Sequence, residues 1–491
     1  MSTFTPLARF RADLDRPDVI ERLRDGLIGD GAPVDGPFGT TSLLYADYVA
    51  SGRALEQVER FVMQEVLPYY ANSHTEASFC GARMTRMRRE ARAEIARLVG
   101  ADEAHAVVFG GSGATFWINR LVHLFDIPAT LARGGRAVVL IGPYEHHSNI
   151  LPWRESGAEV IEIPEARAGG PDMAALEAVL VRTAGAALRI GAFSAASNVT
   201  GIQTDTEAVT RLLKAHGALS VWDYAGGGPY LPVCMTPAAD CAKDAVVFSP
   251  HKFIGGPAAS GVMVLRRDSV ARRTPVCPGG GTVRFVSPEG HDYACDLAAR
   301  EESGTPDVIG DIRAGLAFLV KEALGTERVR QRHATLAARA LAAWRRNPMI
   351  ELLGFDRPAL EAAPRLPFFS FRVRNGTGGY IHHQLFTRML SDCHGIQARG
   401  GCACAGPYAH RLLGIDAEGS EVLRRRIMAG EELDKPGWVR LNFSALLTDE
   451  KAERIIRAVD ALARNPHGLI SRYAADPATA RFAPVAAGEV A

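Results

Sequence analysis

The chain has almost no net charge: 56 lysines and arginines stand against 55 aspartates and glutamates, a formal +1. Without an excess of one sign it has no global field to draw it to nucleic acid or to an anionic membrane, so a small-molecule substrate is the better expectation. It also lacks long apolar runs. No stretch approaches the roughly 18 apolar residues of a membrane span. The opening MSTFTPLARFRADLDRP has no apolar core of a secretory signal. A cytoplasmic protein with no membrane partner is expected. Cysteine is sparse for the length. Eight thiols (Cys80, Cys234, Cys241, Cys277, Cys295, Cys393, Cys402, Cys404) in 491 residues make no disulfide framework of the kind that staples small secreted scaffolds. They read as reduced thiols, most of them packing residues. No internal repeat recurs at solenoid periods.

What is present is enough apolar material, 47% of residues, for two cores, since single cores stop growing well below this length. From about residue 105 short β-branched runs alternate with turns and amphipathic stretches, the pattern of a parallel sheet with crossover helices. The runs are 106–109, 137–141, 160–163, 188–193, 219–222, 245–248 and 262–265. One crossover helix is well marked: Thr204 and Glu207 form a capping box, Ala208, Val209, Leu212 and Leu213 one apolar face, and Gly217 the end. Beyond Pro306 the rhythm changes to helical stretches (312–324, 334–344) and isolated strands (368–373, 396–398, 439–443), a smaller α+β domain. The last residues, from about Ala475, are rich in Ala and Pro without sustained periodicity and read as a flexible tail.

Four segments at predicted strand ends carry chemistry. Lys252, in FSPHKFIGGP, follows the run that ends at Phe248, with Ser249 and His251 just before it. Asp223 ends LSVWD; an acid there is either a helix cap or a functional group. FGGSGATFWIN leaves a strand and opens a helix, so the amides of Ala114 and Thr115 would meet an anion with the helix dipole behind them. Alone, such a turn is equally a tight packing device. His146, in YEHHSNILPW, stands past the strand ending at Ile141 and alone would read as an ordinary loop histidine. All four lie at carboxyl ends of predicted parallel strands, the edge where open α/β sheets bind ligands. Together they meet the needs of pyridoxal 5'-phosphate (PLP): a lysine imine, an anion for the pyridinium proton, a phosphate cradle and a group stacked on the ring.

At this point EHHSNILPW, SNVTG, the strand-terminal Asp223, SPHK and ESGTP resemble, in the same order, motifs of the class-V aminotransferase family of fold-type I PLP enzymes, in particular the cysteine desulfurases and selenocysteine lyases. The resemblance runs from roughly Tyr45 to Leu462. It implies an α/β fold with a large domain built on a mainly parallel seven-stranded sheet and a smaller C-terminal α+β domain. The expected divisions are an N-terminal segment at 1–35, the PLP-binding domain at 36–306, the small domain at 307–474 and the tail at 475–491. It further implies that Lys252 forms the imine and moves the substrate α-proton, Asp223 holds the ring nitrogen and His146 stacks. Asn198 would lie near the phenolate oxygen. Ala114, Thr115, Ser249 and His251 would bind phosphate, and Thr305 would reach the phosphate of a neighbouring subunit in a homodimer. Arg440, on GWVRLNF, would grip the substrate carboxylate with Arg399 and Asn198 nearby, a task suited to a bidentate guanidinium.

ARGGCACAGP bears on the reaction. Cys404 stands five residues after Arg399 and before Ala405-Gly406-Pro407, much as the desulfurase nucleophile follows an arginine and precedes a proline. The resemblance therefore implies that Cys404 takes sulfur from L-cysteine, releases L-alanine and keeps a persulfide for a sulfur-acceptor protein. Nearby Arg399 would help by favouring the thiolate. Cys402 and Cys404 also admit a redox pair, a structural loop or, with Cys393 and His394, a zinc site, although the spacing is not that of a common zinc site and no metal is expected. The chain departs from the family in three places. Tyr224, Ala225 and Gly226 follow Asp223 with no Gln or His, Phe116 replaces an acid after Thr115, and the stretch between Cys404 and Arg440 is longer. The alternative is another class-V activity, such as an aminotransferase, a carbon–sulfur lyase or an epimerase on an amino-acid substrate.

Overall fold

The β-branched runs form one sheet of seven strands: β1 (His105–Phe109), β2 (Ala137–Ile141), β3 (Glu159–Glu162), β4 (Leu188–Ser194), β5 (Leu219–Asp223), β6 (Ala245–Phe248) and β7 (Val262–Arg266). The computed structural model describes residues 5–73 and 75–485. The strand order is β1-β7-β6-β5-β4-β2-β3, and every pairing is parallel except those of β7, which runs antiparallel to β1 and β6. Strands β1, β2 and β6 are buried at every residue, because helices cover both faces of the sheet. One cover joins Leu7, Met84, Ile95 and Phe318 in a core; the other joins Trp117, Leu121 and Trp153.

The helix after β4 is Thr206–Ala215, and its cap differs from the expected box. Asp205, not Thr204, accepts from the Glu207 and Ala208 amides, while the Thr204 hydroxyl donates to the Ser194 carbonyl at 2.8 Å. A carboxylate one residue closer to the helix reaches its free N–H groups, and Thr204 ties the loop to β4 instead.

Past Pro306 the first helix, Val308–Leu324, still buries into the core beneath the large sheet, beside Leu7 and Ala91. The second core forms around a four-stranded antiparallel sheet of β8 (Ile350–Leu352), β9 (Phe368–Val373), β10 (Arg399–Gly401) and β11 (Trp438–Asn442), ordered β8-β9-β11-β10. Helices Thr326–Trp344, His383–His394 and Asp449–Arg464 pack on it. Leu44 and Ala46, far upstream, belong to this second core, and Leu44–Tyr45 pairs in parallel with Ile396–Gln397. The expected 396–398 strand is thus only Ile396–Gln397, and a separate strand, β10, begins at Arg399.

The expected flexible tail is, in its described part, an antiparallel hairpin: Tyr473–Asp476 pairs with Arg481–Pro484, and Phe482 packs on the second core. Alternation in so short a run escapes a compositional reading. Residues 1–4 and 486–491 lie outside the described residues. Among the described residues no helix is long and apolar enough to cross a membrane.

Candidate active site

The carboxyl ends of β1, β2, β4, β5 and β6 meet at one edge of the sheet. Asp223 is the last residue of β5, opposite Ser194 of β4, and is buried, with the Ala225 amide donating to it at 2.7 Å. Burial raises its carboxyl above the usual range, while Lys252 pulls the other way. Lys252 sits in a short helical turn just past β6, where desolvation lowers its amine; Asp223 opposes that shift, Arg440 and Arg399 add to it, and Asp47 opposes it. Amine and carboxylate are thus coupled across the site, and among the described residues they form no direct ion pair.

Beside them lies an anion cradle. The Gly110–Gly113 turn delivers the chain into helix Ala114–Leu124, whose first amide, that of Ala114, donates to Ser249 Oγ at 3.0 Å. His251 Nδ1 donates to the Ser112 carbonyl at 2.6 Å, so its Nε2 faces away from that bond. A Cβ on Gly113 would lie 2.5 Å from Ser249 Oγ and 3.1 Å from His251 Cε1, so only glycine lets these three segments close together. Thr115 Oγ1 lies 2.7 Å from Ser148 Oγ, and the Ser148 amide donates to His146 Nδ1 at 3.1 Å. Desolvation, then Lys252, pushes His146 down to about 3, so its ring is neutral and carries its proton on Nε2.

The opposite wall comes from the second unit. Arg399 of β10 and Arg440 of β11 are directly cross-strand, a pairing of like charges that would repel. Asp47 resolves it: Arg399 Nε donates to one carboxylate oxygen at 2.9 Å and Arg440 Nη2 to the other at 3.2 Å. Arg440 Nη1 donates to the Asn198 carbonyl at 3.0 Å. Arg440 Nε and Asn198 Oδ1 are buried without a protein partner, as expected of groups that wait for a ligand. The Asp47 segment also touches the lysine turn, because the Gly52 amide donates to the His251 carbonyl at 2.9 Å, and a Cβ on Gly52 would come within 1.8 Å of Phe253 O.

The cysteine loop closes over this wall. Ala403 O accepts from Asn198 Nδ2 at 2.8 Å, Cys404 O from the His147 amide at 2.8 Å, and His147 Nε2 from the Gly406 amide at 2.9 Å. Ala403 and Cys404 both take positive φ, 55° and 53°, which costs residues with a Cβ roughly 1–2 kcal/mol each. The three hydrogen bonds over-determine the strained loop. Cys404 is exposed and Cys402 half-buried. Arg399, expected to assist Cys404, has its Nε spent on Asp47. Helices Gly406–Leu413 and Ala417–Met428 fill the long stretch before Arg440, and the second buries no residue.

Thr305, singled out from sequence, lies exposed in the loop before helix Val308–Leu324. Cys393 and His394 do not join Cys402 and Cys404 in a metal site, and among the described residues no group of three or more His, Cys, Asp or Glu is placed to hold a metal ion. Sequence reasoning missed Asp47, which has no local signature. It also missed Glu145, whose only signal was its place in EHHSN. Glu145 is buried, accepts from Ser194 N–H (2.8 Å), Ser194 Oγ (2.6 Å) and Asn149 Nδ2 (2.6 Å), and is pushed up to about 7, chiefly by burial. It pins the end of β4 beside Asp223.

A profile of the aminotransferase class-V family matches residues 44–435. Among curated proteins, a probable cysteine desulfurase of Vibrio cholerae is 29% identical over 425 residues, covering 85% of this chain and 93% of its own. A cysteine desulfurase of Pectobacterium atrosepticum is 30% identical over 374 residues, 74% of this chain and 84% of its own. The apo structure of a cysteine desulfurase from Thermococcus onnurineus superposes with a TM-score of 0.72 at 22% identity, covering 90% of this chain and 98% of that one. An Escherichia coli cysteine desulfurase in an S-sulfonic acid form gives 0.67, also at 22% identity, over 94% and 99%. At that identity the superpositions speak for the fold.

Proposed function

This chain belongs to the aminotransferase class-V family, and from that premise we propose that it is a PLP-dependent cysteine desulfurase, taking sulfur from L-cysteine, releasing L-alanine and holding the sulfur as a persulfide on Cys404. One observation carries the reading: an exposed thiol rides on a strained loop hydrogen-bonded to Asn198 and His147, beside the lysine, carboxylate and arginines of the site.

The residues present fit the coenzyme. Gly113 opens a cradle in which the Thr115 amide, Ser249 and His251 would hold its phosphate, while the Ala114 amide orients Ser249. Ser249 Oγ already accepts from Ala114, which leaves its own proton to donate. Asp223 would pair with the ring nitrogen, the neutral His146 would stack on the ring, and Lys252 would hold the aldehyde carbon covalently. Asn198 keeps one amide N–H beyond that given to Ala403, enough to serve the phenolate oxygen in the absence of a Gln or His after Asp223. When bound, the coenzyme supplies an electron sink that weakens bonds around the substrate α-carbon.

The chain's own groups do the rest. Arg440, held by Asp47 and the Asn198 carbonyl, presents Nε and its remaining N–H groups to the substrate carboxylate, with Arg399 beside it. Lys252, its amine lowered by desolvation, would carry the α-proton. Cys404 attacks the substrate sulfur as thiolate.

We take the working unit to be a cytoplasmic homodimer. Exposed Thr305 and the exposed apolar side chains Met63, Phe79, Phe285 and Val286 favour a second subunit, and a sulfur-acceptor protein would collect the persulfide. The test is holoenzyme with L-cysteine, following alanine, sulfide and pyruvate. Alanine is expected, with the sulfur either held on the enzyme or leaving as sulfide, and Cys404→Ala should abolish alanine formation while the coenzyme absorbance stays. Pyruvate and ammonia in place of alanine would assign another class-V activity.

A further inference from the structure

The desulfurase reading leaves a second thiol of the loop idle. Cys402 and Cys404 occupy the first and third positions of a turn closed by the Ala405 amide donating to the Cys402 carbonyl at 3.2 Å. Both central residues, Ala403 and Cys404, are left-handed, as in a type I′ turn. Chain geometry then sets the two cysteine Cα atoms about 5.5 Å apart. That separation lies within the span a disulfide bridges. The turn is not free to open, being tied to Asn198 through Ala403 and to His147 on both sides of Ala405. Cys402 is half-buried and packs beside the Tyr408 and Trp438 cluster, whereas Cys404 is exposed.

Resting on the desulfurase reading, the geometry points to Cys402 as a resolving thiol. Its thiolate attacks Sγ of the Cys404 persulfide, the bond from Sγ to the terminal sulfur breaks, and that sulfur leaves with the electron pair as hydrosulfide. A Cys402–Cys404 disulfide remains. The balance closes within the loop: the sulfane sulfur is reduced to sulfide as the two cysteines are oxidised, and a small thiol or dithiol reductant reopens the ring for the next turnover. Attack at the terminal sulfur instead would carry it from the exposed cysteine to the half-buried one, away from any acceptor. Where no acceptor protein takes the persulfide first, the enzyme would therefore release its sulfur as free sulfide, with a reductant setting the pace.

The experiment uses reductant-free holoenzyme and one equivalent of L-cysteine per site, so that no substrate thiol remains to reduce the product. Alanine and sulfide are quantified, and the acid-quenched, thiol-blocked loop peptide is weighed. Wild type is expected to yield alanine, sulfide and a peptide lighter by two hydrogens. Cys402→Ala and Cys402→Ser are expected to yield alanine with the peptide heavier by one sulfur atom, and to release sulfide only after a dithiol is added. A wild-type peptide that keeps the added sulfur, or a Cys402 variant that frees sulfide as wild type does, overturns the resolving step. Absence of alanine from wild type overturns the desulfurase reading beneath it. The wild-type peptide mass decides even if the variants misfold.

Discussion

The wall of the site on the large sheet and the wall on the C-terminal unit are held together by different forces. On the sheet side Asp223, Ser249 and Lys252 sit at or just past the ends of strands buried on both faces, and the backbone ladder sets their spacing. On the other side Asp47 joins Arg399 across 352 residues of chain and Arg440 across 393, and side-chain charge does the positioning. A ladder of backbone bonds tolerates the loss of one side chain. A buried charge pair does not: Asp47 and Arg440 are buried while Arg399 is exposed, and removing Asp47 leaves Arg440 uncompensated.

That contrast can be broken or sharpened by substitution. The largest effect is expected for Lys252→Ala: borohydride should fix no coenzyme to the protein, and activity should fall by roughly a thousandfold or more, as for the loss of a covalent catalytic group. Coenzyme still fixed to the variant would move the site elsewhere. Asp47→Ala should cost about 3 kcal/mol of stability, because Arg440 would stay buried without its carboxylate. It should also raise KM for L-cysteine roughly tenfold or more while coenzyme absorbance persists. Equal loss of coenzyme and substrate binding would erase the distinction between the walls.

A smaller effect tests the sheet side. Glu145 titrates at about 7 in the folded protein, up from 4.5, because burial and Asp223 disfavour its charge. A folded pKa raised in this way gives stability that is complete below the unfolded value and is lost as pH rises through about 7. Glu145→Gln should flatten that slope between pH 4.5 and 7, worth on the order of 3 kcal/mol. Chemical denaturation across that range checks it, and an unchanged slope would place the proton elsewhere. Smallest is Ala403→Gly, which relieves one left-handed residue but frees the unfolded chain, for a net gain of at most about 1 kcal/mol. A loss in thermal stability would show that the Ala403 methyl contributes packing.

Much of the sheet side is legible in the sequence. The seven runs of the large sheet fall within one or two residues of the observed strands, because β-branched runs bounded by turns are local signals. The candidate residues at their ends follow from where parallel sheets leave room for ligands. Less was legible at boundaries. Thr204 and Asp205 are both capping residues, and only the path of the chain selects the aspartate. The hairpin at 473–484 is too short to show a period.

The sequence by itself determined the element order, the place of Lys252 and Asp223 at strand ends, and the presence of two thiols two residues apart, since each is written in neighbouring residues. Only the tertiary structure decided that Asp47 lies between Arg399 and Arg440, that Glu145 underpins the end of β4, and that Cys402 and Cys404 share one left-handed turn. Charges that meet across hundreds of residues, and φ angles imposed by docking, leave no periodic trace along the chain.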